Sequence, residues 1–364
     1  MSDTYSAAVF HGADSGFTVS TESLAPPADG EVLVEVTSCS ICASDLHTIS
    51  GRRPCSCPAI LGHEIVGRIV ATGGTVRDWH GDPLQIGERL TWSIAASCGC
   101  CFFCVRDIPQ KCEQLSKYGH ARIDERAPLG GLATHCRLLK GTSLFRLPEG
   151  LSDHEAVPAN CCTATSVAAL RTAGKIDDAV VLVLGAGALG LTVAEYAIHQ
   201  NAGQIIVADV DASRLDRVSR IQRCTPLLID PADDPAHIPS VVTRLTGQRG
   251  VDLAVEVSGA SAAVSTALAC CRTGGRIILV GSVFKTSPIE LEPETIVRRM
   301  LRIEGLHNYR PEDLARALEF LDDLPSTSIS RSLVETSFAL TDIAAAVDCA
   351  SSHQHLRVAV SPQE

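Results

Sequence analysis

Val180-Val181-Leu182-Val183-Leu184 runs directly into Gly185-Ala186-Gly187-Ala188-Leu189-Gly190, and residues 191–200 carry the pattern on as a helix. An apolar strand, a Gly-x-Gly-x-x-Gly turn and a helix together form the sequence signature of a dinucleotide site. The glycines allow the tight turn, the approach of pyrophosphate to backbone N–H groups, and close packing of helix on sheet. The glycine pattern alone is weak, and its context makes it specific. The next apolar run, 204–208, ends in Asp209, nineteen residues after Gly190. A carboxylate there accepts the adenosine ribose hydroxyls and repels a 2′-phosphate, so the expected cofactor is NAD rather than NADP. Gly185, Gly187, Ala188, Leu189, Gly190 and Asp209 are the residues expected to hold it.

From Thr163 onward strands and helices alternate, through 252–257 and 274–281, which implies a parallel sheet with crossover helices. Before Thr163 the character differs. Short alternating runs are broken by Ala25-Pro26-Pro27-Ala28-Asp29-Gly30, Gly130-Gly131 and Pro148-Glu149-Gly150, which suits a small β-barrel. The 364 residues are long enough for two domains, each with its own core. The composition is globular, with 45% hydrophobic and 20% charged residues, and no repeat or low-complexity tract interrupts it. A net charge of −11 argues against nucleic acid or an anionic membrane as partner. Residues 1–10 lack the basic and apolar regions of a signal peptide, and no run approaches the roughly 20 apolar residues of a membrane span. Sixteen cysteines in such a chain read as thiols and metal ligands rather than disulfides, and the expected location is cytoplasmic.

Two neighbouring loops concentrate reactive side chains: Cys42-Ala43-Ser44-Asp45-Leu46-His47 and Gly62-His63-Glu64. Thiolate and neutral imidazole are donors that Zn²⁺ prefers, and a catalytic zinc keeps one position open. Asp45 is placed to orient His63 through its second ring nitrogen. Ser44 and His47 offer a hydroxyl and an imidazole to carry a proton away. Taken singly, Cys42 reads as a small buried hydrophobe and His63 as a satisfied loop residue.

Cys-x-Ser-Asp-x-His followed by Gly-His-Glu-x-x-Gly at 62–67 resembles the zinc-dependent alcohol dehydrogenases of the medium-chain dehydrogenase/reductase family, and the likeness extends over nearly the whole chain. It implies a GroES-like barrel, catalytic and split (1–162 and 305–364), around an inserted Rossmann domain (163–304). It also implies two zinc ions, NAD, a small alcohol or aldehyde as substrate, and a homodimer or homotetramer. Cys98, Cys101, Cys104 and Cys112 have the family's x2, x2, x7 spacing for a four-thiolate structural zinc, with Cys100 as an extra thiol inside the knuckle. The family's third catalytic ligand stands four residues before a threonine, which selects Cys161 over Cys162; Glu64 approaches that zinc from behind in related enzymes. Arg214 matches a basic position near the ribose, although an exposed helix charge fits it equally. Gly281 and Val283 resemble the segment facing the nicotinamide, and Arg357 resembles a pyrophosphate-contacting arginine.

The resemblance further implies oxidation of an alcohol at zinc, its proton leaving through Ser44, a cofactor ribose hydroxyl and His47. The nearest branch in pattern is a bacterial one associated with phosphonate metabolism. Arg52 and Arg53 are either a solvated turn or an anion-binding pair for a substrate such as a hydroxyalkyl phosphonate. Trp92 either walls the pocket or packs in the core. His120 is a surface turn or a substrate contact, and Cys55 and Cys57 have no assigned role. Polyol or amino-alcohol dehydrogenation, a cofactor-retaining aldehyde dismutase, and a non-enzymatic NAD(H) sensor are the alternatives. An intact proton relay argues against the sensor.

Overall fold

The computed structural model describes residues 3–121 and 128–364. They form two compact units, Met1–Ala164 with Arg310–Glu364, and Thr165–Tyr309. Among the described residues no helix is long and apolar enough to cross a membrane.

The first unit is built on a mostly antiparallel sheet, in which Val334–Ala339 and Arg357–Ser361 pair in parallel. Its central strands, Val32–Ile41 and Glu64–Thr72, are flanked by Arg89–Trp92 and Leu144–Arg146 on one side and by Arg357–Ser361 and Val334–Ala339 on the other. Val32–Ile41 alternates apolar residues inward, and Val34, Val36 and Cys39 are fully buried. Trp92, Tyr118, Phe10 and Ile65 fill the space inside the sheet. The order is that of a GroES-like barrel. A register shift between Val36 and Ser38 breaks the Val32–Ile41/Glu64–Thr72 ladder, a bulge of the kind that bends a strand and re-aims the residues beyond it. Cys42 and His63 stand at the ends of these two strands.

The second unit is a six-stranded, all-parallel sheet in the order Cys224–Leu228, Gln204–Asp209, Val180–Leu184, Val251–Glu256, Cys271–Leu279, Arg302–Gly305. This is the doubly wound Rossmann order, with the strand order reversing beside Val180–Leu184, where such sheets bind dinucleotides. Leu182, Val183, Ile206 and Ala254 are fully buried because helices cover both faces of a parallel sheet. Where the sequence reading ends this domain at 304, the compact unit continues to Tyr309, because Arg302–Gly305 pairs in parallel with Cys271–Leu279.

Candidate active site

Helix Ala43–Ile49 starts immediately after strand Val32–Ile41 with Cys42 as its N-cap residue. Asp45 serves two donors at once. Its Oδ2 accepts from the Cys42 backbone N–H at 2.9 Å, closing the helix start, and its Oδ1 lies 3.0 Å from His63 Nδ1. The carboxylate is almost fully buried, so the tautomer is set: Nδ1 of His63 carries the proton and Nε2 is free to donate electrons to a metal. Gly62, at φ 85°, makes the turn that brings His63 round.

Ala159–Thr163 forms a single π-helical turn before helix Ala164–Ala173. The wide turn is rare and recurs at functional sites; here it carries Cys161 while Cys162 is buried at 2% exposure. The donor atoms of Cys42, His63 and Cys161 all lie within 4.8 Å of one another, and Cys162 is outside the group. Two thiols and an imidazole at that spacing suit a tetrahedral zinc with its fourth position open. The electrostatics agree. Burial resists a charge on His63, yet the Asp45 carboxylate and the Cys42 thiolate outweigh it and hold the imidazole up at about 10, so a metal binding at Nε2 would displace a proton there. Cys42 is pulled well below the ordinary thiol range by the hydrogen bond from Cys161 and the charge of Arg357, against its burial, and Cys161 is pushed up as the other half of that pair. A divalent cation bound by this set would take the place of the protons on His63 Nε2 and Cys161.

Ser44 Oγ lies 3.3 Å from His63 Nε2, beside the metal-facing nitrogen. His47 is three residues on along the same helix and half-buried. Burial and the nearby Arg52 charge lower its proton affinity, so it is a neutral acceptor at pH 7.

Glu64 does not join the three donors. Its carboxylate accepts from Arg357 at 2.9 and 3.1 Å and from the Ser40 hydroxyl, and burial lifts it to about 7 against the pull of Arg357. Arg357 lies behind the metal donors, with Nη2 3.6 Å from Cys42 Sγ. The pyrophosphate contact expected of it therefore rests on resemblance alone. Trp92 is not a pocket wall. It is fully buried and packs edge-on against Tyr118, centroids 6.2 Å apart, because Arg89–Trp92 pairs with Leu144–Arg146 in the register that turns this ring inward. Arg52 is exposed, whereas Arg53 is half-buried and pairs with no carboxylate among the described residues. Cys55 and Cys57 join no group of three or more metal donors among the described residues.

Asn160 escaped the sequence reading. It is fully buried; its Nδ2 donates to His63 O at 3.1 Å and Trp92 O at 3.2 Å, and its Oδ1 accepts from Ile65 N at 3.3 Å. One amide thus ties the π-turn to the histidine loop. An asparagine inside the apolar run before Cys161 was the available signal. His120 stands beside His63, ring centroids 5.2 Å apart, and burial together with His63, Lys117 and Arg53 drives its pKa to about 2.

Cys98, Cys101, Cys104 and Cys112 converge in a separate lobe, with Sγ–Sγ distances of 4.0, 3.5, 3.9 and 3.5 Å. A tetrahedron with Zn–S bonds of about 2.3 Å has edges of about 3.8 Å. Backbone N–H groups of Cys100 and Cys101 hold the Cys98 thiol down at about 6. Cys100 itself is exposed and outside the set.

In the second unit, Gly185 has φ 116° and Gly187 caps helix Ala188–His199. A Cβ on Gly190 would collide with the Gly185 carbonyl. Asp209 Oδ2 accepts from Ala186 N at 2.6 Å, so its carboxylate faces the glycine turn, with Arg214 3.9 Å away. Ala188 and Leu189 form the first helical turn. Gly281 packs against the backbone of Val257 and Gly259, and Val283 is about half exposed beyond it.

A dinucleotide cradle and a thiolate–imidazole metal site are the equipment of a zinc-dependent nicotinamide oxidoreductase. The profile of the alcohol dehydrogenase GroES-like domain matches residues 28–149, and that of zinc-binding dehydrogenases matches residues 188–323. An alcohol dehydrogenase of Geobacillus stearothermophilus is 30% identical over 295 residues, spanning 80% of this chain and 81% of that one. A sorbitol dehydrogenase of Halalkalibacterium halodurans is 26% identical over 349 residues, 95% and 96% of the two chains. The crystal structure of an alcohol dehydrogenase from Thermotoga maritima superposes with a TM-score of 0.92 at 24% identity, covering 98% of this chain and 99% of that one. The chain belongs to the zinc-type medium-chain alcohol and polyol dehydrogenase family.

Proposed function

We propose that the protein oxidises an alcohol at a zinc held by Cys42, His63 and Cys161, with NAD as hydride acceptor and the reverse reaction equally open. The observation that carries this is the convergence of those three donors beside the Ser44 hydroxyl. When bound, the metal supplies Lewis acidity toward the alcohol oxygen and the nicotinamide supplies the hydride acceptor. Ser44 accepts the proton of the substrate hydroxyl, and His47, one helical turn along, takes it outward. Asp45 keeps His63 in its metal-donating tautomer, and Glu64 with Arg357 sets the charge behind the thiolates. Cys98, Cys101, Cys104 and Cys112 hold a structural zinc that contributes folding energy. Residues 1–162 and 305–364 provide the chemistry, and 163–304 bind NAD through Gly185, Gly187, Ala188, Leu189, Gly190, Gly281 and Val283. Asp209 selects NAD over NADP, with Arg214 as a counterweight beside it.

For the substrate, our reading is an alcohol with an anionic group, such as a hydroxyalkyl phosphonate, read by Arg53. Arg53 acts electrostatically on both His47 and His120, which places its charge near the metal donors. A desolvated charge-assisted contact contributes about 2–5 kcal/mol, or at least roughly 30-fold in binding. The test compares kcat/KM for 2-hydroxyethylphosphonate and for ethanol, with NAD, in wild type and Arg53→Ala. The phosphonate-to-ethanol ratio should fall at least about 30-fold in the variant; an unchanged ratio returns Arg53 to the solvated turn. Assaying products without added NAD separates dehydrogenation from aldehyde dismutation. We also read the chain as a homodimer or homotetramer. Arg302–Gly305 is an exposed edge strand, with Met300 at 70% exposure beside it, and a second copy would cap such an edge.

A further inference from the structure

We infer that the Glu256 carboxylate supplies a fixed negative charge under the nicotinamide end of the cofactor, favouring the cationic ring of NAD over the neutral ring of NADH. The inference rests on the NAD reading above and adds a residue to it.

Glu256 is the last residue of strand Val251–Glu256 and pairs in register with Leu184, the residue before the glycine turn. Those two strands flank the point at which the sheet order reverses, and a dinucleotide crosses such a sheet beyond the carboxyl ends of its strands. The direction of crossing follows from the strand order. Asp209, as the ribose carboxylate, ends Gln204–Asp209 on one side of the turn, and pyrophosphate binds at the turn itself. The nicotinamide half then extends to the other side, over the ends of Val251–Glu256 and Cys271–Leu279.

Glu256 is fully buried. Its Oε1 accepts from Gly259 N at 2.6 Å and from Ser258 Oγ at 2.8 Å, and its Oε2 accepts from Ser282 Oγ at 3.3 Å. Its backbone carbonyl accepts from Val280 N and Gly281 N at 2.9 and 3.0 Å. One residue thus fastens both loops that follow these strand ends. None of the side-chain donors is charged, and among the described residues no cation pairs with the carboxylate. Glu64, equally buried, has Arg357. A buried carboxylate without a cation is costly. A loop fastener alone has no need of the charge, since glutamine offers an acceptor to Gly259 and a donor to Ser282. The cation that this position lacks is the one that nicotinamide carries in its oxidised form.

The test measures the dissociation constants of NAD and NADH from zinc-loaded enzyme, NADH by its fluorescence and NAD by competition. Glu256→Gln keeps the loop contacts and removes the charge. The ratio of Kd for NAD to Kd for NADH should rise about 10-fold or more, with Kd for NADH within about twofold of wild type. Pyrophosphate is common to both ligands, so its response to the lost charge cancels in the ratio. Glu256→Asp keeps the charge on a shorter arm, and its ratio should stay within about threefold of wild type even where both constants weaken. A ratio within about twofold of wild type in Glu256→Gln, or one shifted as far in Glu256→Asp, would overturn the inference and leave Glu256 as a loop fastener. ¹³C-glutamate NMR of the wild-type holoenzyme reads the same carboxylate without a substitution. The Glu256 Cδ resonance should move on adding NAD and move less on adding NADH; equal displacement by both would overturn the inference as well. Wild-type enzyme that binds both nucleotides and oxidises no alcohol would count against the alcohol dehydrogenase reading, and the ratio would still decide for or against Glu256.

Discussion

Asp45→Asn isolates the orienting carboxylate without changing its size. In the wild type both carboxylate oxygens accept, one from Cys42 N–H at 2.9 Å and one from His63 Nδ1–H at 3.0 Å, in a site 2% exposed. Asparagine offers one acceptor and one donor. If Oδ1 faces Cys42, the amide NH₂ meets the Nδ1–H of His63, and either a buried donor goes unsatisfied or the imidazole changes tautomer. The first outcome costs about 1–3 kcal/mol. The second puts the proton on Nε2 and removes the lone pair a metal needs. Both routes act on the metal-competent state, so affinity for the catalytic zinc should fall roughly 10- to 100-fold, equivalent to about 1.4–2.7 kcal/mol. The measurement is competitive zinc release to a chromogenic chelator, which resolves the two ions because the four-thiolate group and the Cys42, His63 and Cys161 group share no donor. The weaker phase should shift by one to two decades in Asp45→Asn and the tighter phase should not. Identical release curves for variant and wild type would refute the claim that this carboxylate sets the ligand geometry.

Purified protein should contain two zinc ions per chain. Cys161→Ala should lose one and keep its fold, Cys101→Ser should destabilise the lobe or yield little folded protein, and a Cys162→Ala variant short of one ion would reverse the choice between neighbours. Asp209→Ala should weaken NAD by about one to two decades, the worth of a hydrogen bond to a charged group, and narrow the preference over NADP, read from kcat/KM with each cofactor. Equal efficiency of wild type with both would assign Arg214 to the 2′-phosphate. Glu155, 2.8 Å from Arg331, has its carboxyl held down at about 2 by the guanidinium and by Ser152, against its burial. A depressed carboxyl stabilises the fold above its unfolded pKa of about 4.3 and loses that contribution as pH falls toward 2. The stability gap between wild type and Glu155→Gln in urea should thus be about 2 kcal/mol at pH 7 and shrink below pH 4; a gap independent of pH would mean the pair is screened.

Features written in short spacings were legible in the sequence. Gly185 to Gly190 and Cys98 to Cys112 each act within one turn or loop, so chain distance stands in for spatial distance. The approach of Cys42 to His63 was legible for a related reason. Both end strands that are neighbours in one sheet, and their capping and turn residues, Asp45 and Gly62, lie within three residues of them. Trp92 was not legible, because a side chain on a strand faces in or out according to register, and that is set by pairing with Leu144–Arg146 some fifty residues away. Asn160 was missed for the same kind of reason. Its partners, His63, Ile65 and Trp92, lie 68 to 97 residues back along the chain.

Arg357 shows what sequence reasoning could still have extracted. It opens the strand Arg357–Ser361, whose five residues are all buried. A guanidinium inside a barrel is costly unless a carboxylate compensates it, so its position required a buried acid in the same unit. Among the described residues of that unit the buried acids are Asp45, Glu64, Asp78 and Asp313, and Glu64 is the one that meets the guanidinium, at 2.9 and 3.1 Å. A buried arginine on the closing strand therefore implied a buried carboxylate partner. That is the arrangement found: Glu64 is turned toward Arg357 and Ser40, and Cys42, His63 and Cys161 remain as the grouped donors.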